Sequence, residues 1–242
     1  WEKHLRPHGI VHEVNLVSSI RDLKEIDACI ILDDSINNLL TLIEAVQHGH
    51  HCFLVSQQPT DIKLLEKIHR AAKESGVKVQ FAHWPTLAPA TQWMFNRIQR
   101  PQSINITKHI SRNSIINAIS EFKHLWIDEL GLCLKWINSG IHHIEAQSIW
   151  LDDNNPSHIH IFLRFENGST ASISVYACAQ EYFHKRIAFG KQVFEPSQSA
   201  EKAALIFLKS IQLNTETGYS SYNALQLARQ IDKVEKRLKI FS

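Results

Sequence analysis

The chain has 242 residues, of which 44% are hydrophobic and 21% charged, and its formal net charge is +2. That length buries a sizeable core in one or two domains, while the small, mixed-sign charge excludes a partner recognised by bulk electrostatics, so neither nucleic acid nor an anionic membrane is expected. No apolar run approaches the roughly 20 residues of a membrane span, and no signal-peptide pattern opens the chain.

The first hundred residues alternate short apolar runs with helical patterns. Val14–Val17 reads as a strand and Ser19–Lys24 as a short helix with a serine cap. Ala28–Leu32 (ACIIL) is a continuous apolar run, the pattern of a strand covered on both faces. Ser35–His48 follows as a helix with Leu39, Leu42, Ile43 and Val46 on one stripe, and Gly49 ends it. Cys52–Val55 is the next strand. Asp61–Ser75 is a helix closed by Gly76, and Val77–Phe81 is a third strand. Strands and helices joined by short links imply a parallel sheet with right-handed crossovers.

The character changes near Arg100-Pro101, which sets a domain boundary between residues 1–100 and 101–242. Ser103–His109 reads as a strand and Phe122–Ser139 as a long helix. Ala146–Leu151, His158–Phe165 and Thr170–Ala177 alternate as strands, with Asn167-Gly168 as a hairpin tip. Ala200–Ile211 and Tyr222–Leu238 are helices. This half is expected to be α+β, with a mostly antiparallel open sheet.

Four cysteines (Cys29, Cys52, Cys133, Cys178) lie far apart without CxxC spacing, which predicts buried, reduced thiols in a cytoplasmic protein. His142, His143 and Glu145, together with the strand pair His158 and His160, are metal-ligand types, but no third ligand is fixed by spacing and no metal is expected. Trp93, Trp126, Trp136 and Trp150 have no interleaved basic groove, so they read as core or interface side chains. The basic residues of the last helix read as a solvated face.

Asp27–Val55 (DACIILDDSINNLLTLIEAVQHGHHCFLV) resembles without a gap the second half of the Rossmann domain in the Gfo/Idh/MocA family of nicotinamide-dependent sugar oxidoreductases, and the likeness continues in Ala71–Val77, Phe81-Ala82-His83 and Pro89-Ala90. Glu129-Leu130-Gly131, Phe165–Gly168 and Phe207–Ile211 resemble that family's second domain. The resemblance covers nearly the whole chain. It implies a Rossmann-like α/β domain, incomplete at its N-terminus, followed by the α+β domain. It also implies NAD or NADP as cofactor, a small-molecule ligand, and a homodimer formed through the C-terminal sheet. The two faces of His158–Arg164, with Ile159, Ile161 and Leu163 on one side, suit such a dimer.

The family's chemistry does not carry over. Its cofactor-lining Thr-Pro falls on Asp33 and Asp34, and the histidine after it on Asn38. Its catalytic lysine falls on Ser56 in the ungapped alignment, or on Gln58 in a gapped one that uses Pro59, its histidine on Cys133 and its aspartate on Trp136. His83 and Glu129 match positions near the substrate cleft. Oxidising an alcohol needs a positioned base to take the hydroxyl proton, and Ser56, Gln57 and Gln58 are not bases near neutral pH. No GxG pair occurs in the chain, so a phosphate-binding turn either precedes Trp1, where further residues are expected because the chain opens in mid-pattern, or is lacking. Asp33 and Asp34 bring negative charge toward a dianionic cofactor, or else form a strand-end turn in which Asp34 or Ser35 caps the next helix. The reading is therefore a divergent relative with a degraded dehydrogenase site and a ligand-binding or regulatory role. The alternative is a working NAD(P)-dependent oxidoreductase that acts on a sugar or polyol through an unrecognised base.

Overall fold

The structure is a computed structural model that describes residues 3–23, 25–111, 118–152, 155–179, 183–188, 191–194 and 199–238. Its elements, in chain order, are β1 (Ala28–Leu32), α1 (Asn38–Gln47), β2 (His51–Val55), α2 (Ile62–Ser75), β3 (Val79–Phe81), α3 (Trp84–Leu87), α4 (Pro89–Arg97), β4 (Ser103–Ser111), α5 (Ala118–Ile137), β5 (Ile141–Asp152), β6 (Asn155–Phe165), β7 (Thr170–Ala179), β8 (Phe183–Ala188), β9 (Lys191–Phe194), α6 (Ala200–Gln212) and α7 (Ser221–Leu238). They form two compact units, Trp1–Leu87 with Gln198–Ala228, and Ala88–Ser197 with Arg229–Ser242.

The first unit is a parallel sheet of order β1-β2-β3, in register Cys29↔Cys52 and Cys52↔Val79. Residues on β1 and β2 alternate between its faces. Cys29 and Ile31, beside Cys52 and Leu54, are buried on one face, where α1 packs on β2 and on α2. On the other, Phe53 packs with Ala82, Ala203 and Phe207, so α6 is the cover. That cover does not extend to β1: Ile30 is 42% and Leu32 76% exposed. β1 is thus buried on one face instead of the two that its apolar run predicts. A continuous apolar run records side-chain type; only a packed neighbour buries it.

Three local expectations are corrected. Val14–Val17 pairs with no strand among the described residues, and Val14, Leu16 and Val17 are exposed. The helix after Ser19 is a single 3-10 turn, Ile20–Asp22, in which the Ser19 hydroxyl accepts from Arg21 N at 3.3 Å. Helix α1 starts at Asn38 rather than Ser35. Asp33 Oδ1 accepts the Ser35 N–H at 2.8 Å and Ser35 Oγ accepts the Asn37 N–H at 3.3 Å, so side chains occupy these donors in a turn ahead of the helix. Neither Asp34 nor Ser35 is the cap; that position is Asn37. Helix α2 begins as expected, with Asp61 accepting from Leu64 N at 3.0 Å and Gly76 closing it at φ +68°.

The free edge of β3 is closed by residues from far along the chain. Phe81 N donates to Tyr219 O at 2.9 Å and the Thr217 hydroxyl donates to Val79 O at 3.2 Å. Gln80 is fully buried. Its amide nitrogen donates to Ala203 O at 3.0 Å, and its amide oxygen accepts the Gly218 N–H at 3.0 Å. The buried amide is satisfied at both ends, which is what makes its burial tolerable.

The second unit holds a six-stranded sheet of order β5-β6-β7-β4-β8-β9. All its pairs are antiparallel except β4–β7. This is the mostly antiparallel open sheet the sequence predicts. The β6–β7 turn has Gly168 at φ +82°, the left-handed conformation that Asn-Gly supplies at little steric cost. Helix α5 packs on β6 and β7. Ile159, Ile161, Leu163, Ile173 and Val175 are all buried. Among the described residues no helix is long and apolar enough to cross a membrane.

Gly218 tests the β3 closure. A Cβ there would meet Leu87 Cδ2 at 2.5 Å and Ile206 Cγ2 at 3.0 Å. Gly218→Ala is expected to cost about 1–3 kcal/mol by overpacking, read as a lower urea midpoint at unchanged slope.

Candidate functional site

In open parallel sheets, ligands bind outside the carboxyl ends of the strands. In the first unit those ends deliver Asp33-Asp34 after β1, Ser56-Gln57-Gln58 after β2 and Ala82-His83 after β3. Hydrogen bonds tie each loop down. Asn38 Nδ2 donates to Asp33 O at 3.2 Å, folding the start of α1 back onto the end of β1. The Ser56 hydroxyl is turned to Gln57 O at 3.0 Å. Gln58 Nε2 donates to Ala82 O at 3.1 Å, joining the loop after β2 to the end of β3.

His83 is fully buried, and its ring stacks on Tyr219 with centroids 4.1 Å apart and planes 11° from parallel. Thr86 Oγ1 lies 2.7 Å from Nδ1, and the Thr86 N–H donates to the same nitrogen at 3.3 Å. The sequence singles out His83 but gives no sign of its partners. Thr86 follows in the next turn, and Tyr219 arrives from the distant segment that closes β3.

The other predicted residues lie on α5 in the second unit, and all three are interior. Glu129 is fully buried, with Oε1 3.1 Å from Lys108 Nζ; that ammonium also donates to Leu125 O at 3.3 Å. Cys133 is fully buried and not disulfide-bonded. Trp136 Nε1 donates to Ile98 O at 2.7 Å beside Phe95, which pins the end of α4. Trp126 is likewise buried, whereas Trp93 and Trp150 are well exposed.

Cys29, Cys52 and Cys133 form no disulfide. Cys29 and Cys52 sit side by side on β1 and β2 with sulfurs 3.5 Å apart; their hydrogen bond, then burial, raises the Cys52 thiol far above its ordinary value. The side chain of Cys178 lies outside the described residues. Among the described residues no group of three or more His, Cys, Asp or Glu side chains gathers as a metal site. On β6, His160 Nδ1 lies 2.9 Å from Ser174 Oγ, and His158 stacks on Tyr176 at 4.3 Å. Burial, then the neighbouring His160, lowers the His158 pKa and favours the neutral ring.

A nicotinamide dinucleotide needs a close backbone approach and an uncluttered helix N-terminus for its pyrophosphate. The β1–α1 and β2–α2 turns of the first unit do not offer this. Asp33 and Asp34 lie between β1 and α1, and the Asp61 carboxylate already occupies the N-terminus of α2. These residues do not fit a dianion.

The architecture, a Rossmann-like parallel sheet followed by a second α/β unit with a mixed open sheet, is a fold shared with solved dehydrogenase structures. UDP-N-acetylglucosamine 3-dehydrogenase GnnA from Acidithiobacillus ferrooxidans shares this fold at a TM-score of 0.75 and 16% identity, covering 93% of this chain and 83% of that one. A probable dehydrogenase from Thermotoga maritima matches at 0.71 and 14%, covering 91% and 80%. A scyllo-inositol dehydrogenase from Lactobacillus casei, solved with bound NAD(H) and scyllo-inositol, matches at 0.68 and 14%, covering 90% and 80%. No protein-family model and no curated protein sequence matches the chain.

The Lys108–Glu129 pair gives a stability test. Glu129→Gln leaves a buried ammonium with no carboxylate and is expected to cost about 3 kcal/mol, whereas the double change Lys108→Met with Glu129→Leu recovers most of that loss. Denaturant midpoints of the two variants check this.

Proposed function

We propose that the chain is a non-catalytic, small-molecule-binding relative of the sugar and polyol dehydrogenases whose fold it shares, acting as a ligand sensor or as a regulatory partner subunit. One observation carries the reading. The three strand ends that would surround a reacting alcohol present carboxylates, a serine and two glutamines, and a histidine whose ring is enclosed by Thr86 and Tyr219.

Hydride cannot leave an alcohol carbon unless the hydroxyl proton also leaves, and that step needs a base with a pKa near the working pH. Ser56 is turned onto a backbone carbonyl, Gln58 is committed to Ala82, and neither side chain takes up a proton near neutrality. Asp33 holds the Ser35 N–H in its turn. Repulsion by Asp33, Asp34 and Asp61 also disfavours a dinucleotide.

Titrating the chain with NADH and NADPH while following tryptophan fluorescence is expected to give no saturable change at micromolar cofactor. Assays with polyols and nucleotide sugars are expected to show no turnover. Saturable micromolar binding together with polyol oxidation would overturn the proposal in favour of a working dehydrogenase with a different base.

We further propose that the chain pairs with a second copy through the β6–β7–β4 sheet. The face opposite Ile159, Ile161 and Leu163 carries half-buried rings, His158 stacked on Tyr176 and His109 edge-on to it, with Phe162 farther along the same strand face. Such rings suit a two-fold interface better than water. Light scattering at micromolar concentration is expected to give twice the 27.8 kDa chain mass, and a monomer would refute the pairing.

A further inference from the structure

We propose a second, independent ligand site in the second unit: a cationic cleft between the start of β5 and the last turns of α7 that takes a small phosphorylated molecule through its phosphate groups. The cleft has a volume of about 390 Å3 and is lined by Ile141–Ile144 on one side and by Lys233, Lys236 and Arg237 on the other. That volume is within the range of small-molecule sites, roughly 300–1,000 Å3.

The β5 wall is shaped by an irregularity. Ile141 pairs with Phe165 and His143 with Arg164, so His142 is an extra residue on the edge strand. A bulge breaks strict alternation and re-aims side chains, which is how two consecutive histidines come to line one cleft. The α7 wall follows from helical spacing, because positions 233, 236 and 237 are neighbours on one face.

The charges there are crowded and incompletely matched. Asp232 pairs with Lys236 at 2.7 Å, and Glu145 Oε1 lies within hydrogen-bond distance of His143 Nε2 at 3.1 Å. Among the described residues Lys233 and Arg237 make no ion pair. They are four residues apart on the helix, where like charges repel. A basic last turn is often explained by the negative end of the helix dipole, but that amounts to about half an elementary charge against the two full positive charges of Lys233 and Arg237. The surplus is an anion site. A planar guanidinium beside ammonium groups suits phosphate oxygens, which accept two parallel N–H bonds from arginine. The cleft is bounded, and the chain carries a net charge of only +2, so a compact phosphate ester or diphosphate fits better than a nucleic acid strand.

Calorimetric titration of the 242-residue chain with pyrophosphate in low-salt buffer, without divalent metal, tests this. Saturable one-to-one binding with a Kd below about 1 mM is expected. The exposed double variant Lys233→Gln with Arg237→Gln is expected to weaken it at least about tenfold. Lys63→Gln with Lys67→Gln, which removes the same charge from α2, should leave binding unchanged. No saturable heat, or equal loss in both double variants, would overturn the proposal; the second result would mean attraction by overall charge alone. The outcome is separable from the fate of the dehydrogenase reading, because no residue from the strand ends of the first unit is altered.

Discussion

Gln80 is the residue through which the first unit closes on itself. A three-stranded parallel sheet has two open edges and two faces to cover, and here one buried amide helps to cover both β3's edge and a face. Its nitrogen takes the Ala203 carbonyl of α6, and its oxygen takes the Gly218 N–H of the segment beside β3. An unmet amide at full burial costs on the order of 1–3 kcal/mol per group, so the two bonds also forbid alternative seatings of α6. Tyr219 follows Gly218 directly, and through it the same closure sets the ring on which His83 stacks.

The carboxyl ends of the strands inherit their character from this arrangement. A dehydrogenase needs an exposed, tunable base beside its substrate. The first unit instead offers side chains already committed to local bonds: Asp33 to Ser35, Ser56 to Gln57, Gln58 to Ala82 and His83 to Thr86. Each bond stiffens a loop and withdraws a polar atom from chemistry.

Much of the fold is legible in the chain because the period of the apolar residues is local information. Leu39, Leu42, Ile43 and Val46 announce α1, and Asn167-Gly168 announces the β6–β7 turn. What is not legible depends on partners. Ile30 and Leu32 have the composition of a strand buried on both faces, yet α6 reaches only as far as Phe53. Helices α3 and α4 were hidden by two prolines, Pro85 and Pro89, although Pro89 in a first helical turn is itself a start signal. Glu129 was singled out as a pocket residue by the motif around it. Its partner Lys108 sits at a buried position of β4, where a lone lysine amid Ile104, Ile106 and Ile110 was a sign that a carboxylate would be waiting. Asp33, Asp34, Ser56 and His83 lie at the same end of the sheet because its strands run parallel, whereas the pairing of His83 with Tyr219 spans most of the chain and leaves no local trace.

The distance along the chain between Gln80 and its partners has a consequence for synthesis. Ala203 and Gly218 lie 123 and 138 residues downstream. At roughly 5–20 residues per second, a ribosome needs on the order of ten seconds to deliver them after Gln80 has left the exit tunnel. Throughout that interval the nascent first half carries a bare Phe53 face and an unmet amide, while the strands of the second unit emerge in one continuous stretch and can pair as they appear. Closure of the β3 edge therefore waits until Ala203 and Gly218 have been made.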